Sequence, residues 1–478
     1  MDKTTFLTNL RFGSKVARAQ KERRISMASR RYDIDMTSGP LVGKILKFTL
    51  PVMAAGVLQL LFNAADLVVV GRFAGNTALA AVGSTGAITN LIVNLFIGLS
   101  VGTNVIVAQH YGAQRHQDIH ETVHTSIAVS FLGGIILTVL GLILAYPLLR
   151  LMDTPEDVID KSVLYMRIYF CGMIAMMPFN FGSAILRATG DTRHPLYYLT
   201  IAGVLNFLLN LFFVIVLHMD VDGVALATII SQAVSAFLIL RYLTKLHGSC
   251  HLYWKQLRIY KDKLWAITRT GLPAGIQGCL FSLSNAIIQS SVNSFGGTVM
   301  AANTAASNVG GFVYTSINSF SQSALCFAGQ NLGAKKYSRL NRVLIINLAL
   351  ATVIGAVLGG LLYLFRAQAL NIYTSDAEVI AAGSIRLLYV GLVYFICGWM
   401  DVFSGQIRGM GYSLLPTIVS LIGACGLRIV WIYAIFPHFH TLHGLYISYP
   451  ISWLITTLAH FIVYLWIRRK LPKVDGAV

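Results

Sequence analysis

A chain of 478 residues that is 56% apolar and only 12% charged, with a mean hydropathy of +0.67, is not a water-soluble globule but a protein that crosses a bilayer many times. Its net charge of +18 would suit a polyanion, yet most of the Lys and Arg fall in the tails and alternate loops, which excludes nucleic acid as the partner. The sequence lacks the alternating strands of an outer-membrane barrel, so a helical bundle is the spanning structure that remains.

In chain order, residues 1–39 are polar and basic, without the apolar segment of a signal peptide, and are expected to be a disordered cytoplasmic tail. Apolar runs long enough to cross a bilayer follow near 48–71, 79–108, 124–147, 163–184, 195–217 and 223–243. Six more lie near 264–292, 298–328, 343–365, 380–404, 414–437 and 444–467. The expectation is an all-α polytopic protein of twelve transmembrane helices, with an N-lobe over 40–246, a cytoplasmic linker over 247–261, a C-lobe over 262–470 and a tail over 471–478. Basic clusters at Arg23, Arg24, Arg30 and Arg31, at Lys255, Arg258, Lys261 and Lys263, and at Lys335, Lys336, Arg339 and Arg342 place both termini in the cytoplasm.

The first run, Leu50 to Gly75, carries the most chemistry. Gln59, Asn63 and Asp66 stand at i, i+4 and i+7, a polar stripe on an apolar rod. A carboxylate near the bilayer centre costs about 2.5–3.5 kcal/mol on insertion scales, so the stripe faces other helices or a wet cavity. A polar contact between packed helices satisfies the same pattern. Pro51 removes one backbone hydrogen bond from this helix and is the expected point of bending.

The middle of the chain begins again. Leu50-Pro51 recurs as Leu272-Pro273, Asn63-Ala64 as Asn285-Ala286, and Phe73 with Gly75 as Phe295 with Gly297, at an offset of 222. At an offset of 221, Gln109 and Gly112-Ala113 match Gln330 and Gly333-Ala334, and Arg187, Gly190 and Pro195 match Arg408, Gly411 and Pro416. A register held this long marks two homologous halves. Six spans per half is an even number, so both halves enter the membrane the same way, related by a pseudo-two-fold along its normal. Such parallel halves suggest alternating access around a central cavity.

Other patterns carry less. His116, His120 and His124 have a spacing that a metal could use, but a solvated helix explains them, as it does the loop histidines His438, His440 and His443. The six cysteines are scattered without CxxC spacing, so neither a zinc site nor a disulfide framework is expected. Gly98 with Gly102, and Gly359-Gly360, are small-residue packing positions. No HExxH motif or paired intramembrane aspartates stand where an enzyme would need them, and no cofactor is expected.

The segments MTSGPLVGKILKFTLPVM, QLLFNAADLVVVGRFAG, GLSVGTNVIVAQHYGA, ILRATGDTRHP and IRGMGYSLLP, in this order, resemble the multidrug and toxic compound extrusion family from about Met36 to Arg469. The resemblance implies a monomeric, cation-coupled antiporter of the bacterial inner membrane that exports amphipathic, often cationic small organic compounds in exchange for H⁺ or Na⁺. It also implies an N-lobe cation site of Asp66, Gln59, Tyr165, Asn206, Asn210 and Thr228, with Pro51 as the bending proline. The family's fifth-helix pair usually reads Asn-x3-Asp; here it is Asn206 and Asn210, which leaves Asp66 as the acid inside an N-lobe span. In the C-lobe the position matching Asp66 is Ile288, so coupling is expected to be asymmetric. Asn63, Asn180, Gln277, Asn285, Asn303 and Asp401 are candidates to line a substrate cavity, with pairing to a nearby arginine or to a loop backbone near the cytoplasmic end the alternative role for Asp401. A lipid or oligosaccharide flippase is the runner-up; it would need a strongly cationic cavity, which the few Lys and Arg outside the basic segments argue against.

Overall fold

The computed structural model describes residues 34–476 apart from positions 75, 153 and 473. The first half holds α1 (Leu41–Val69), α2 (Asn76–Gly112), α3 (His116–Leu151), α4 (Glu156–Cys171), α5 (Met173–Thr189), α6 (Arg193–Leu211) and α7 (Val221–Leu243). Helices α4 and α5 meet at Gly172 with a bend of 48° and form one span between them. The second half repeats the plan with α8 (Lys261–Asn293), α9 (Gly297–Gly333), α10 (Tyr337–Leu364), the pair α11 (Ala377–Arg386) and α12 (Tyr394–Gly409), α13 (Leu414–Ser420), whose helical path continues to His438, and α14 (Ser448–Lys470). Each half therefore supplies six membrane-length segments, in two lobes related by the internal repeat.

Length and apolarity alone identify 10 crossing helices, or 11 with the bent pair. The remaining segment is α9, which is 37 residues long but rich in Asn, Ser and Gln. Its polar residues Asn303, Ser316, Ser319, Ser323, Gln330 and Asn331 are buried against protein. A helix can cross a membrane with such side chains when neighbours, not lipid, cover them.

The lobes meet closely along α2 and α8. A Cβ at Gly98 would run into the backbone of Gly271 and Gly275, and one at Gly102 would strike the Ile267 carbonyl. Only residues without side chains allow these helix axes to approach so far. The contact continues at the basic end of the bundle, where Gly112 lies on the Gln330 carbonyl and Gly333 on the Gln109 carbonyl. The Gln109 Nε2 donates to the Gly409 carbonyl at 2.9 Å, and the Gln330 Nε2 donates to the Ala188 carbonyl at 2.7 Å. Position 188 is the repeat partner of 409, so each lobe reaches into the other with the same bond. Toward the opposite ends of the same helices, Gly83 and Gly86 on α2 and Gly297 on α9 face open space.

The expectation of a disordered tail over 1–39 is corrected for its last residues; 1–33 lie outside the described residues. Ile34 and Met36 are buried in the second-half core with Phe327 and Leu340, and Asn331 Nδ2 donates to the Met36 carbonyl at 3.0 Å. Burial acts to raise the Asp35 carboxyl, but hydrogen bonds from Ser38 and Thr37, with Lys44 nearby, hold it down at about 2. The linker is likewise anchored. His124 is fully buried and its Nε2 accepts from the Tyr253 N–H at 3.1 Å, while His116 Nδ1 pairs with Ser249 Oγ at 2.6 Å. The helix-face histidines thus hold the linker to α3, and among the described residues no cluster of three metal-ligating side chains forms.

Candidate functional site

The N-lobe encloses a cavity of about 440 Å³ that is lined from both lobes: Gln59, Asn63 and Asp66 of α1 face Asn180, Asn206 and Thr228 across it, while α9 adds Asn318 and Gln322. The polar stripe read from the sequence is thus the cavity wall. Gln59 and Asn63 are exposed to this space, whereas Asn206 and Asn210 are buried beneath it.

Asp66 is held from α6. Asn210 Nδ2 donates to Asp66 Oδ1 at 2.5 Å. With its amide nitrogen turned to the carboxylate, Asn206 donates to Oδ1 at 2.8 Å and Oδ2 at 3.2 Å, and its oxygen accepts from the Thr228 N–H at 3.3 Å. That orientation is assigned from the hydrogen-bond network, since it turns the amide nitrogen rather than its oxygen toward the carboxylate. The spacing of 206 and 210 puts both amides on one helix face, one turn apart. Asn210 Oδ1 is buried and has no donor. It is a free acceptor beside the Asp66 carboxylate.

Helical geometry changes at these positions. A π turn begins at Val70, four residues after Asp66, and another at Phe212, two after Asn210. In the C-lobe, π turns span Leu387–Gly391 and Leu421–Gly426, next to Arg386 and Arg428. Such turns widen a helix and are common at functional sites. Composition and spacing carry no signal for them.

Tyr165 does not join the Asp66 network in this way. It packs in the apolar cluster of Val69, Val214 and Val224, with its ring 6.1 Å from that of Tyr169. Pro51 lies inside α1, which runs helically through it. Of the other cavity candidates, Asn63 and Asn180 line the N-lobe cavity, and Asn285 and Asn303 line a second one in the C-lobe. Gln277 and Asp401 line neither. Gln277 Oε1 accepts from Arg408 Nη2 at 2.5 Å, and Asp401 Oδ2 accepts from Asn318 Nδ2 at 3.0 Å. Asp401 therefore reaches the N-lobe cavity wall through Asn318. Among the described residues Asp401 makes no direct ion pair with an arginine, although the Arg408 charge acts on it.

The second cavity, about 380 Å³, is lined by Asn285, Ile288, Asn303, Arg386, Arg428 and Trp453 among others. Counting basic residues along the sequence argued against a cationic cavity, and the structure corrects this for the C-lobe. Arg386 and Arg428 are few in number but line the same cavity. Missed residues lining the N-lobe cavity include Arg187 and Gln232 and, from α9, Asn318 and Gln322; the repeat of Arg187 as Arg408 is the one available sign.

A helical bundle of two like lobes, with polar cavities at membrane depth and an intramembrane acid in one of them, is a membrane transporter and not an enzyme. The MatE family model matches it twice, over residues 51–212 and 273–434, so the chain belongs to the multidrug and toxic compound extrusion family. It is 30% identical to "Probable multidrug resistance protein YoeA" of Bacillus subtilis (strain 168) over 88% of this chain and 93% of that one. It is 23% identical to a protein of Shewanella oneidensis described as "FAD transporter", over 89% of this chain and 94% of that one. A solved multidrug resistance transporter of this family in an outward-facing conformation superposes with a TM-score of 0.86 at 22% identity, covering 92% of this chain and 99% of its own.

Proposed function

We propose that this chain is a secondary active antiporter of a bacterial plasma membrane, working as a monomer, that exports amphipathic, often cationic organic compounds in exchange for H⁺ or Na⁺. The observation that carries the reading is Asp66, fixed by Asn206 and Asn210 in a cavity walled by both lobes, beside the unpartnered Asn210 Oδ1. Protonation gives the carboxyl a donor, and sodium gives both oxygens a hard cation; either fits this donor set. Gln59 and Thr228 complete the polar surround.

In low dielectric an uncompensated carboxylate opposes closure of the lobes around it, and binding H⁺ or Na⁺ removes that opposition. A membrane potential adds roughly 2.3 kcal/mol per charge per 100 mV to the drive. The positive-inside bias supports a cytoplasmic basic end with both termini on that side. The lobes, about 40–246 and 262–470, then stand joined at the cytoplasmic end by the Gln109 and Gln330 bonds, an outward-facing arrangement. Pro51 serves as the point where α1 bends during the cycle.

Efflux of a fluorescent cationic dye from everted vesicles tests this, driven in turn by a pH gradient and by a sodium gradient. One of the two gradients is expected to drive transport. Dye movement indifferent to both would refute antiport.

A further inference from the structure

The coupling reading leaves the C-lobe cavity without a task, although its wall is chemically unusual. Arg386 is 8% exposed and Arg428 7%, and neither joins an ion pair among the described residues. Arg386 Nη1 donates to the Asn303 carbonyl at 3.2 Å, but its Nε has no acceptor. Arg428 Nε donates to Ser452 Oγ at 2.8 Å, but its Nη2 has none. Asp401 is engaged by the side chains of Asn318 and Tyr314 and does not itself line the cavity. Burying two guanidinium groups without a counter-charge is costly, and natural proteins pair such groups or leave them for a ligand.

Aromatic rings stand in the same wall. The Arg428 guanidinium carbon stands 4.2 Å from the Tyr449 ring centroid and 5.4 Å from that of Trp453, which fixes the plane of its fork. Tyr394, Tyr314 and Phe281 add flat surface. The repeat shows that this chemistry belongs to one lobe. The N-lobe positions matching Arg386 and Arg428 are Tyr165 and Phe207, while Ile288, which matches Asp66, lines the C-lobe cavity. The two cavities therefore differ in charge: the first is lined by one acid, Asp66, and one base, Arg187, the second by two bases and no acid.

We propose that the C-lobe cavity is a binding subsite for organic anions, taking a phosphate or carboxylate at the free N–H groups of Arg386 and Arg428 and a flat apolar body against Tyr449, Trp453 and Tyr394. Planar guanidinium forks match these oxyanions, and the volume suits one small ligand. This cargo class goes beyond the cation-handling role of the N-lobe and does not depend on how transport is coupled.

The test is equilibrium dialysis of 1-naphthyl phosphate against the full chain in neutral detergent, with uncharged 1-naphthol as the comparison. The phosphate is expected to bind at least about ten-fold more tightly than the naphthol, the scale of one charge-assisted hydrogen bond. Arg386→Gln and Arg428→Gln should each weaken it roughly ten- to a hundred-fold, Arg428→Lys should restore part of the loss, and the exposed Lys47→Gln should change nothing. Repeating the measurement in nanodiscs of phosphatidylcholine, with and without phosphatidylglycerol, separates the sources of the anion. Displacement of the probe by phosphatidylglycerol assigns the site to a lipid head group, and indifference to it assigns the site to a free organic anion. Equal binding of phosphate and naphthol by the wild type, or undiminished phosphate binding by monodisperse arginine variants, would overturn the proposal.

Discussion

Gln330→Leu removes one hydrogen bond at a place where its consequence can be read. Gln330 is almost fully buried, and its Nε2 serves the Ala188 carbonyl across the lobe boundary at 2.7 Å. Leucine keeps the apolar stem and approximate volume, and the Gln330 backbone contact with Gly112 does not involve the side chain. The loss is thus confined to one buried carbonyl left without a donor, which costs about 1–3 kcal/mol. The penalty falls on the arrangement closed at the basic end, because Ala188 gains water once the lobes separate there. The balance between the two arrangements should move by roughly 5- to 150-fold toward opening at that end. Gln109→Leu removes the matching bond to Gly409 and should act in the same direction. Electron spin resonance distances between labels at the exposed positions Gln117 and Ser338 report the change. A longer distance component should grow in either variant and dominate in the double variant. An unchanged distribution in the double variant would refute the view that these bonds latch the basic end.

Gly98→Val should lower the unfolding temperature of the detergent-solubilised protein by overpacking worth at least about 1–3 kcal/mol, since its side chain would strike the α8 backbone, while Gly360→Val, which faces open space, should leave it unchanged. Thermal unfolding followed by size-exclusion fluorescence decides between them, and equal losses would contradict the glycine contact. Pro51→Ala restores a helix donor where α1 already continues through proline; it should slow conformational exchange and transport without loss of expression. Full transport with unaltered exchange would remove the bending role.

What the sequence discloses and what it hides divide on physical lines. Asp66 is legible because a carboxylate in an apolar run is expensive and so conspicuous. The lobes are legible because the repeat register survives from Leu50-Pro51 to Ser231 and its partner Ser452. Helix α9 is the least apolar span, yet its run near 298–328 is long enough to be found. By contrast, Tyr165 follows the family pattern in position, and its packing against Val69, Val214 and Val224 is set by neighbours in three dimensions. The pairing of Arg386 with Arg428 in one cavity joins positions on two different spans, and no one-dimensional charge count brings them together. The anchoring of Ile34 and Met36 was hidden for a similar reason: the groove that receives them is made by α9 and its neighbours.

The central claim is that Asp66 couples ion entry to export, and reconstituted Asp66→Asn protein tests it most directly. Asparagine fills the same space but carries no charge, so it cannot gain or lose a proton and presents a weaker sodium site. In proteoliposomes this variant should fold and insert, move a dye substrate down its own gradient, and fail to accumulate it when a pH or sodium gradient is imposed. Gradient-driven accumulation at the wild-type rate would contradict the account and turn attention to Asp401, the buried acid that meets the same cavity wall through Asn318.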